Sequence, residues 1–133
     1  MAPAHVMLPD VQAMYVESST GLAGAAKAFD TLEAPFPSLK GRKFYGTFQP
    51  PAGPYRACVA IEPSDDVAAL GFPTCTIPGG KYSRAKVTNW EQHLPEIGKT
   101  FQRLSEENEH DTTRPSIEFY RSQRELILFL PVK

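Results

Sequence analysis

Cysteine is scarce in this chain: two residues, Cys58 and Cys75, among 133. That number excludes a disulfide framework. Cys58 sits inside the apolar run 57–61, so the pair reads as buried free thiols of a reducing compartment, and the protein as cytoplasmic. Histidine is almost as rare. His5, His93 and His110 are scattered and pair with no Cys or acid at a ligand spacing, so neither a metal site nor a cofactor is expected. No stretch approaches the ~20 apolar residues of a membrane span. The first ten residues hold no Lys, no Arg and no long apolar run, which gives no sign of a signal or transit peptide. Charge of one sign is missing too. Fourteen Lys and Arg face fifteen Asp and Glu, intermixed, for a net charge of -1, and no basic run offers a footprint for direct nucleic-acid binding.

What is present is an ordinary soluble composition, 41% hydrophobic and 22% charged, in a length that suits one domain with a sizeable core. Thirteen prolines fall mostly between the predicted elements and punctuate loops. The strongest pattern is an echo. Leu22, Ala25, Phe29 and Leu32 are spaced like Leu94, Ile97, Phe101 and Leu104; Lys27 matches Lys99, and Arg42 matches Arg114, each about 72 residues on. Steps of three, four and three place each series on one helix face.

A strand-like segment precedes each helix (11–17; 81–88), and two follow it (43–48 and 55–62; 116–121 and 125–132). Pro35 and Pro37 stop the first helix near Glu33, whereas the second, which Asn89 could cap, either kinks at Pro95 or starts properly at Leu94. The start of the chain reads as a loose Pro-rich segment, 49–54 as a hairpin connection, and 63–73 as a linker with one helical turn at 65–70. Thr74 to Ile77 is β-prone, and Pro78-Gly79-Gly80 is a turn that lacks the Lys-Ser/Thr of a phosphate loop. The expected fold is α+β within a single domain, 1–133. It comprises two tandem β-α-β-β repeats (about 11–62 and 74–133) related by a pseudo-twofold. Both helices lie on one face of a mixed, largely antiparallel sheet, leaving the other face for a ligand cleft.

Side chains alternate along 116–121. If Ile117 and Phe119 face the helices, Glu118 and Tyr120 face the groove, with Tyr45, Thr47 or Phe48 near the equivalent places in the first half; Tyr82 and Trp90 are further candidates for its walls. A carboxylate among aromatic rings attracts a cation with an apolar body, and ring faces add roughly 0.5–2 kcal/mol. Glu118 as a solvated strand residue, or as one neutralised by Arg121 or Arg84, is the competing reading.

The run Pro115-Ser116-Ile117-Glu118-Phe119-Tyr120, then Glu125-Leu126 and the terminal Phe129-Leu130-Pro131-Val132-Lys133, resembles the end of the GyrI-like small-molecule-binding domain. So do Ile77-Pro78-Gly79-Gly80-Lys81-Tyr82 entering a strand, then Trp90 and the helix through Phe101-Gln102-Arg103-Leu104. The likeness spans about Val11 to Lys133. This domain is also the effector-binding module of AraC- and MerR-type regulators that sense multiple drugs. The resemblance implies a hydrophobic cleft whose glutamate, here matched by Glu118, meets lipophilic and often cationic compounds. With no room for a helix-turn-helix region, the chain reads as a stand-alone member. Three activities follow as alternatives: binding a lipophilic small molecule; hydrolysing a strained electrophile such as a cyclopropane-bearing toxin, with Glu118 directing water and Tyr120 or Tyr45 donating a proton; or engaging a protein partner, as a gyrase antagonist does. The sequence identifies no such partner.

Overall fold

The computed structural model describes residues 5–49 and 53–133, with every side chain among them except that of Leu22. The connection expected over 49–54 therefore lies partly outside the described residues. Eight strands and three helices follow in the order β1 (His5–Leu8), β2 (Val11–Ser18), α1 (Ala25–Glu33), β3 (Phe44–Phe48), β4 (Tyr55–Ala60), α2 (Val67–Leu70), β5 (Thr74–Ile77), β6 (Gly80–Thr88), α3 (Leu94–Glu107), β7 (Ser116–Tyr120) and β8 (Glu125–Pro131). The α+β class and both principal helices are as expected, with small shifts at their ends. Residues 21–24, read as the first helical turn, are a 3-10 turn. Pro95 occupies the first turn of α3, where its missing N–H has no partner to lose. The start of the chain, expected to be loose, contributes β1.

All pairings are antiparallel in one sheet of order β1-β6-β8-β7-β3-β4-β2-β5. β2, β3 and β4 fill one half of that order, and β6, β7 and β8 fill the other; β3 and β7 meet in the middle with Gly46 directly opposite Glu118. The register of β1 on β6 (Leu8 opposite Gly80) continues into that of β2 on β5 (Val11 opposite Ile77). The turn at 78–79 therefore crosses 9–10, and the Gly79 N–H donates to Asp10 Oδ1 at 2.6 Å. A Cβ at Gly79 would collide with the backbone of residues 8–10, so only glycine allows this crossing.

The curl of the sheet makes two buried faces. On the inner one, side chains from all eight strands meet in one cluster, among them Ala13, Tyr45, Cys58, Ile77, Tyr82, Ile117, Phe119 and Ile127. A flat sheet could not bring both ends together in this way. On the outer face α1 lays Ala28 and Leu32 on Met14, Ala57 and Val59. Likewise α3 lays Ile97, Phe101 and Leu104 on Val87, Leu126, Leu128 and Leu130. Each fully buried aliphatic side chain contributes about 1.5–3 kcal/mol. Both helices share one face, as expected, but the expected cleft on the opposite face is instead a packed core.

Two arginines 72 positions apart hold down loops in parallel ways. Arg42 makes a forked pair with Asp65 (2.9 and 2.5 Å) and lies 4.1 Å over the Phe36 ring. Arg114 pairs with Asp111 at 3.1 Å, donates to the carbonyls of Gly79, Lys81 and Val132, and lies 4.8 Å over Tyr82. Among the described residues, no helix is long and apolar enough to cross a membrane.

Candidate functional site

α1 packs on β2 and β4 and α3 packs on β6 and β8, so the middle strands β3 and β7 form the floor of a groove between the helices. Alternation along β7 decides what lines that floor. Ile117 and Phe119 belong to the inner core, which turns Glu118 and Tyr120 outward beneath the helices. This reverses the expected facing. Strand alternation fixes that Glu118 and Tyr120 go together, but both faces here are apolar, so it does not say which face is theirs.

Glu118 is 8% exposed. Its Oε1 accepts two phenolic hydrogen bonds, from Tyr55 at 2.7 Å and from Tyr120 at 2.9 Å, and the two hydroxyl oxygens lie 3.2 Å apart. Tyr120, two residues along the strand, reaches back rather than standing off along it. Oε2 receives no hydrogen bond from the described residues. No ion pair reaches Glu118 among those residues either: Arg121 and Lys86 both serve Glu125, at 3.9 and 3.1 Å. The competing reading, a solvated or arginine-neutralised Glu118, is therefore overturned. Burial pushes the Glu118 carboxyl above the usual range, against the opposing pull of the two phenols. Burial, and then the charge of Glu118, holds the hydroxyls of Tyr55 and Tyr120 in their protonated form.

Aromatic rings close over this triad. Phe29 from α1 meets Tyr120 edge-on at 5.1 Å, and Tyr55 and Phe44 at 6.5 Å each. Trp90 stands on a 3-10 turn after Asn89, whose backbone is left-handed, and meets Tyr120 from the other side at 5.2 Å. Its Nε1 donates to the Ser122 carbonyl at 3.4 Å. Space for Glu118 and Tyr55 comes from Gly46. A Cβ there would run into the Tyr55 hydroxyl and stand 2.5 Å from Glu118 Oε1.

Of the sequence-predicted residues, the structure brings together Glu118, Tyr120 and Trp90. Phe48 lies on the outer-face parity of β3, opposite Tyr55. Tyr45 and Tyr82 do not join them. Tyr45 stacks on Phe119 at 5.0 Å in the inner core, and Tyr82 is wholly buried there, donating to the Pro78 carbonyl. Sequence reasoning missed Tyr55, Phe29 and Phe44 as site residues. The signal was there in part: Tyr55 shares its strand parity with Ala57 and Val59, and Phe29 lies in the apolar stripe of α1.

No family model and no curated protein sequence matches the chain. Solved structures do. An integron cassette protein from the mobile metagenome of Vibrio cholerae superposes with a TM-score of 0.72 at 12% identity, over 100% of this chain and 97% of that one. SAV2435, solved bound to tetraphenylphosphonium, gives 0.62 at 12% identity, covering 100% and 94%. A hydrolase from Listeria innocua gives 0.57 at 12% identity, covering 99% and 92%. Likeness at this level of identity shows a common fold.

Proposed function

We propose that the protein binds lipophilic cations in the groove between α1 and α3, with Glu118 as counter-ion and Phe29, Tyr55, Trp90 and Tyr120 as its aromatic walls. One observation carries this reading: a buried carboxyl with two phenolic donors on one oxygen and no cation of its own among the described residues. A carboxylate so desolvated gains most from a partner that brings charge without a tightly held hydration shell. Ring faces add attraction for the same kind of ligand. The tetraphenylphosphonium held by SAV2435, and the resemblance to the GyrI-like domain, support the choice of ligand class. Because ring faces and a single charge are weakly directional, the site suits many compounds of that class. The scaffold itself reads as two repeats about a twofold through the Gly46–Glu118 pair, forming one domain. The ligand enters by displacing Trp90, which stands on the short turn at 90–92, from its place against Tyr120.

Trp90 is the single tryptophan, so its fluorescence reports the site directly. Tetraphenylphosphonium should quench it saturably, and the isosteric anion tetraphenylborate should bind more weakly. Glu118→Gln should weaken the cation by roughly 10- to 100-fold, the ~1.5–3 kcal/mol of a hydrogen bond or ion contact to a charged group. Equal affinity of that variant for the cation would remove Glu118 from the site.

A second reading is favoured by the two phenols on Glu118: they are placed as proton donors beside a carboxylate that could direct water onto a strained electrophile. Incubation with strained-ring electrophiles, followed by mass spectrometry, separates the two. Turnover that is lost in Glu118→Gln and in Tyr120→Phe would make the protein a hydrolase. Binding without product, and little effect of Tyr120→Phe on affinity, is the outcome expected of a binder.

A further inference from the structure

The two oxygens of Glu118 are served unequally. Oε1 accepts both phenols, and Oε2 accepts from none of the described residues. Nor is Oε2 sealed away. Among those residues, the fully enclosed side-chain oxygens and nitrogens without a partner are Ser83 Oγ and His110 Nε2. The 8% of Glu118 that stays exposed therefore includes Oε2. Tyr55 and Tyr120 hold one oxygen, and the other opens onto the groove.

Among the described residues, no element around the carboxyl answers it with charge. On the same face β3 carries Phe44 and Gly46, and β4 carries Ala57 and Val59 beside Tyr55. From β8 come Leu126 and Leu128, under Ile97 and Phe101 of α3. From α1 come Ala28, Phe29 and Leu32. The charged groups nearest in sequence are occupied elsewhere: Arg121 and Lys86 serve Glu125, and Glu91 and Arg124 line a hollow with Asn89, Gln92 and Gln123. The titratable groups that face Glu118 are thus the two phenols, both held protonated. With no counter-charge, burial favours the neutral carboxyl over the ionised one. Protonation leaves the existing bonds in place, because the carbonyl oxygen of a neutral acid still accepts from both phenols. The proton has its room on Oε2.

We propose that Glu118 Oε2 is a shared site at which a proton and the lipophilic cation exclude one another, so that cation uptake expels a proton and acid releases the ligand. This rests on the cation-binding reading of the groove. The step is an acid dissociation: the O–H bond of the carboxyl breaks, the proton passes to solvent, and the ligand's positive charge takes its place beside the same oxygen. The empty groove then holds no uncompensated buried charge, which is how a carboxyl persists there without a partner of its own. The sign follows from the same exchange. The ionised carboxyl is the form that attracts the cation, so affinity is full at high pH and is lost as pH falls through the carboxyl's value in the empty protein.

Tetraphenylphosphonium is the probe, because its charge is fixed and any pH dependence belongs to the protein. Its affinity, read from Trp90 fluorescence between about pH 5 and pH 8.5, should fall on acidification towards a limit of about tenfold per pH unit, the slope of one competing proton. Circular dichroism defines the part of that range in which the protein stays folded. Calorimetry in two buffers of unlike ionisation heat should show proton release that rises towards one per cation as pH falls. Glu118→Gln should bind the cation with the same weaker affinity at every pH and release no proton. Binding by the parent with constant affinity and no proton release would overturn the exchange while leaving the function of the groove standing. No binding at any pH would overturn both. A pH dependence that persists in Glu118→Gln would place the proton on another group and overturn the proposal equally. Because the slope and the proton count come from the unaltered protein, they decide the matter even if the variant fails to fold.

Discussion

Gly46→Ala tests the geometry of the groove with one methyl group. Gly46 has an extended backbone within β3, so alanine meets no conformational obstacle. On backbone grounds alone it should stabilise the strand by about 0.5–1 kcal/mol, because glycine loses the most freedom on folding. Against this stands the site. The new Cβ would run into the Tyr55 hydroxyl, stand 2.5 Å from Glu118 Oε1 and 2.8 Å from Tyr55 Cζ. Overpacking of this kind costs about 1–3 kcal/mol. Displacing the Tyr55 hydroxyl from Oε1 removes a hydrogen bond to a charged group, worth about 1.5–3 kcal/mol. The opposing terms leave a net loss of about 2–5 kcal/mol, a large share of the 5–15 kcal/mol stability of a typical domain. Urea unfolding at pH 7, followed by Trp90 fluorescence, measures it, and a tetraphenylphosphonium titration of the same variant should show weakened binding. A variant as stable as the parent, with unchanged affinity, would refute the claim that Gly46 makes the room in which Glu118 and Tyr55 meet.

Glu118→Gln should change the dependence of stability on pH. A carboxyl raised in the folded state contributes stability that is full below the ordinary glutamate value of ~4.3 and is lost as pH rises through the folded value. The variant should therefore gain on the parent between acid and neutral pH, and a pH-independent difference in Tm would count against a buried, titrating Glu118. Asp65 has the opposite sign. Hydrogen bonds from Arg42 lower it to about 2, so its contribution is present above ~3.9 and lost as pH falls towards 2. Asp65→Asn should flatten the acid limb of a plot of urea midpoint against pH. Arg42→Ala should cost about 2 kcal/mol, the scale of a charged hydrogen bond, because it also strips the cover from Phe36; a loss under ~0.5 kcal/mol would show the forked pair to be a surface decoration.

The parts of this fold that were legible in the sequence are those set by period. The stripes through Phe29 and Leu32, and through Ile97, Phe101 and Leu104, specify helices because only a 3.6-residue repeat brings them to one side. The alternation in 116–120 specifies a strand for the same kind of reason. What period cannot give is the choice between two faces that are both covered. In a sheet with one wet face, polarity would mark the outside. Here Ile117 and Phe119 go into the curl while Glu118 and Tyr120 go under aromatic rings, so both sides of β7 are dry and alternation carries no sign. Tyr45 and Tyr82 were misplaced for this reason, as aromatic residues look alike whether they wall a site or fill a core. β1 was missed because four residues before Pro9 carry too little pattern; its pairing to β6 is a long-range fact. Tyr55 reads as a core residue by its neighbours Ala57 and Val59, and only the register across β4, β3 and β7 brings its hydroxyl to Glu118.

That register also explains why the groove holds one carboxylate rather than two. Gly46 and Glu118 are 72 positions apart, the spacing of the helical echo, and they face each other directly where β3 meets β7. A twofold through this pair would make any residue at one position the image of the residue at the other. Identical side chains would compete for the same volume, and two carboxyls there would repel within a dry site, where one of them could not ionise. The chain resolves the conflict by asymmetry: glycine on one strand vacates the space and glutamate on the other fills it, with Tyr55 crossing from the glycine side to complete the hydrogen bonds. On the proposed reading, a cation bound at the centre of a doubled scaffold would meet one carboxyl and not two. Moving the carboxyl across the pair, as Gly46→Glu with Glu118→Gly, tests it. The swapped protein should lose stability, because a Cβ at position 46 still meets the Tyr55 hydroxyl and ring, and under conditions where circular dichroism shows it folded it should lose tetraphenylphosphonium affinity, because Tyr55 and Tyr120 would no longer both reach the relocated oxygen. Retention of full affinity would show that a negative charge anywhere on the groove floor suffices, and that the placement of the two phenols does not matter.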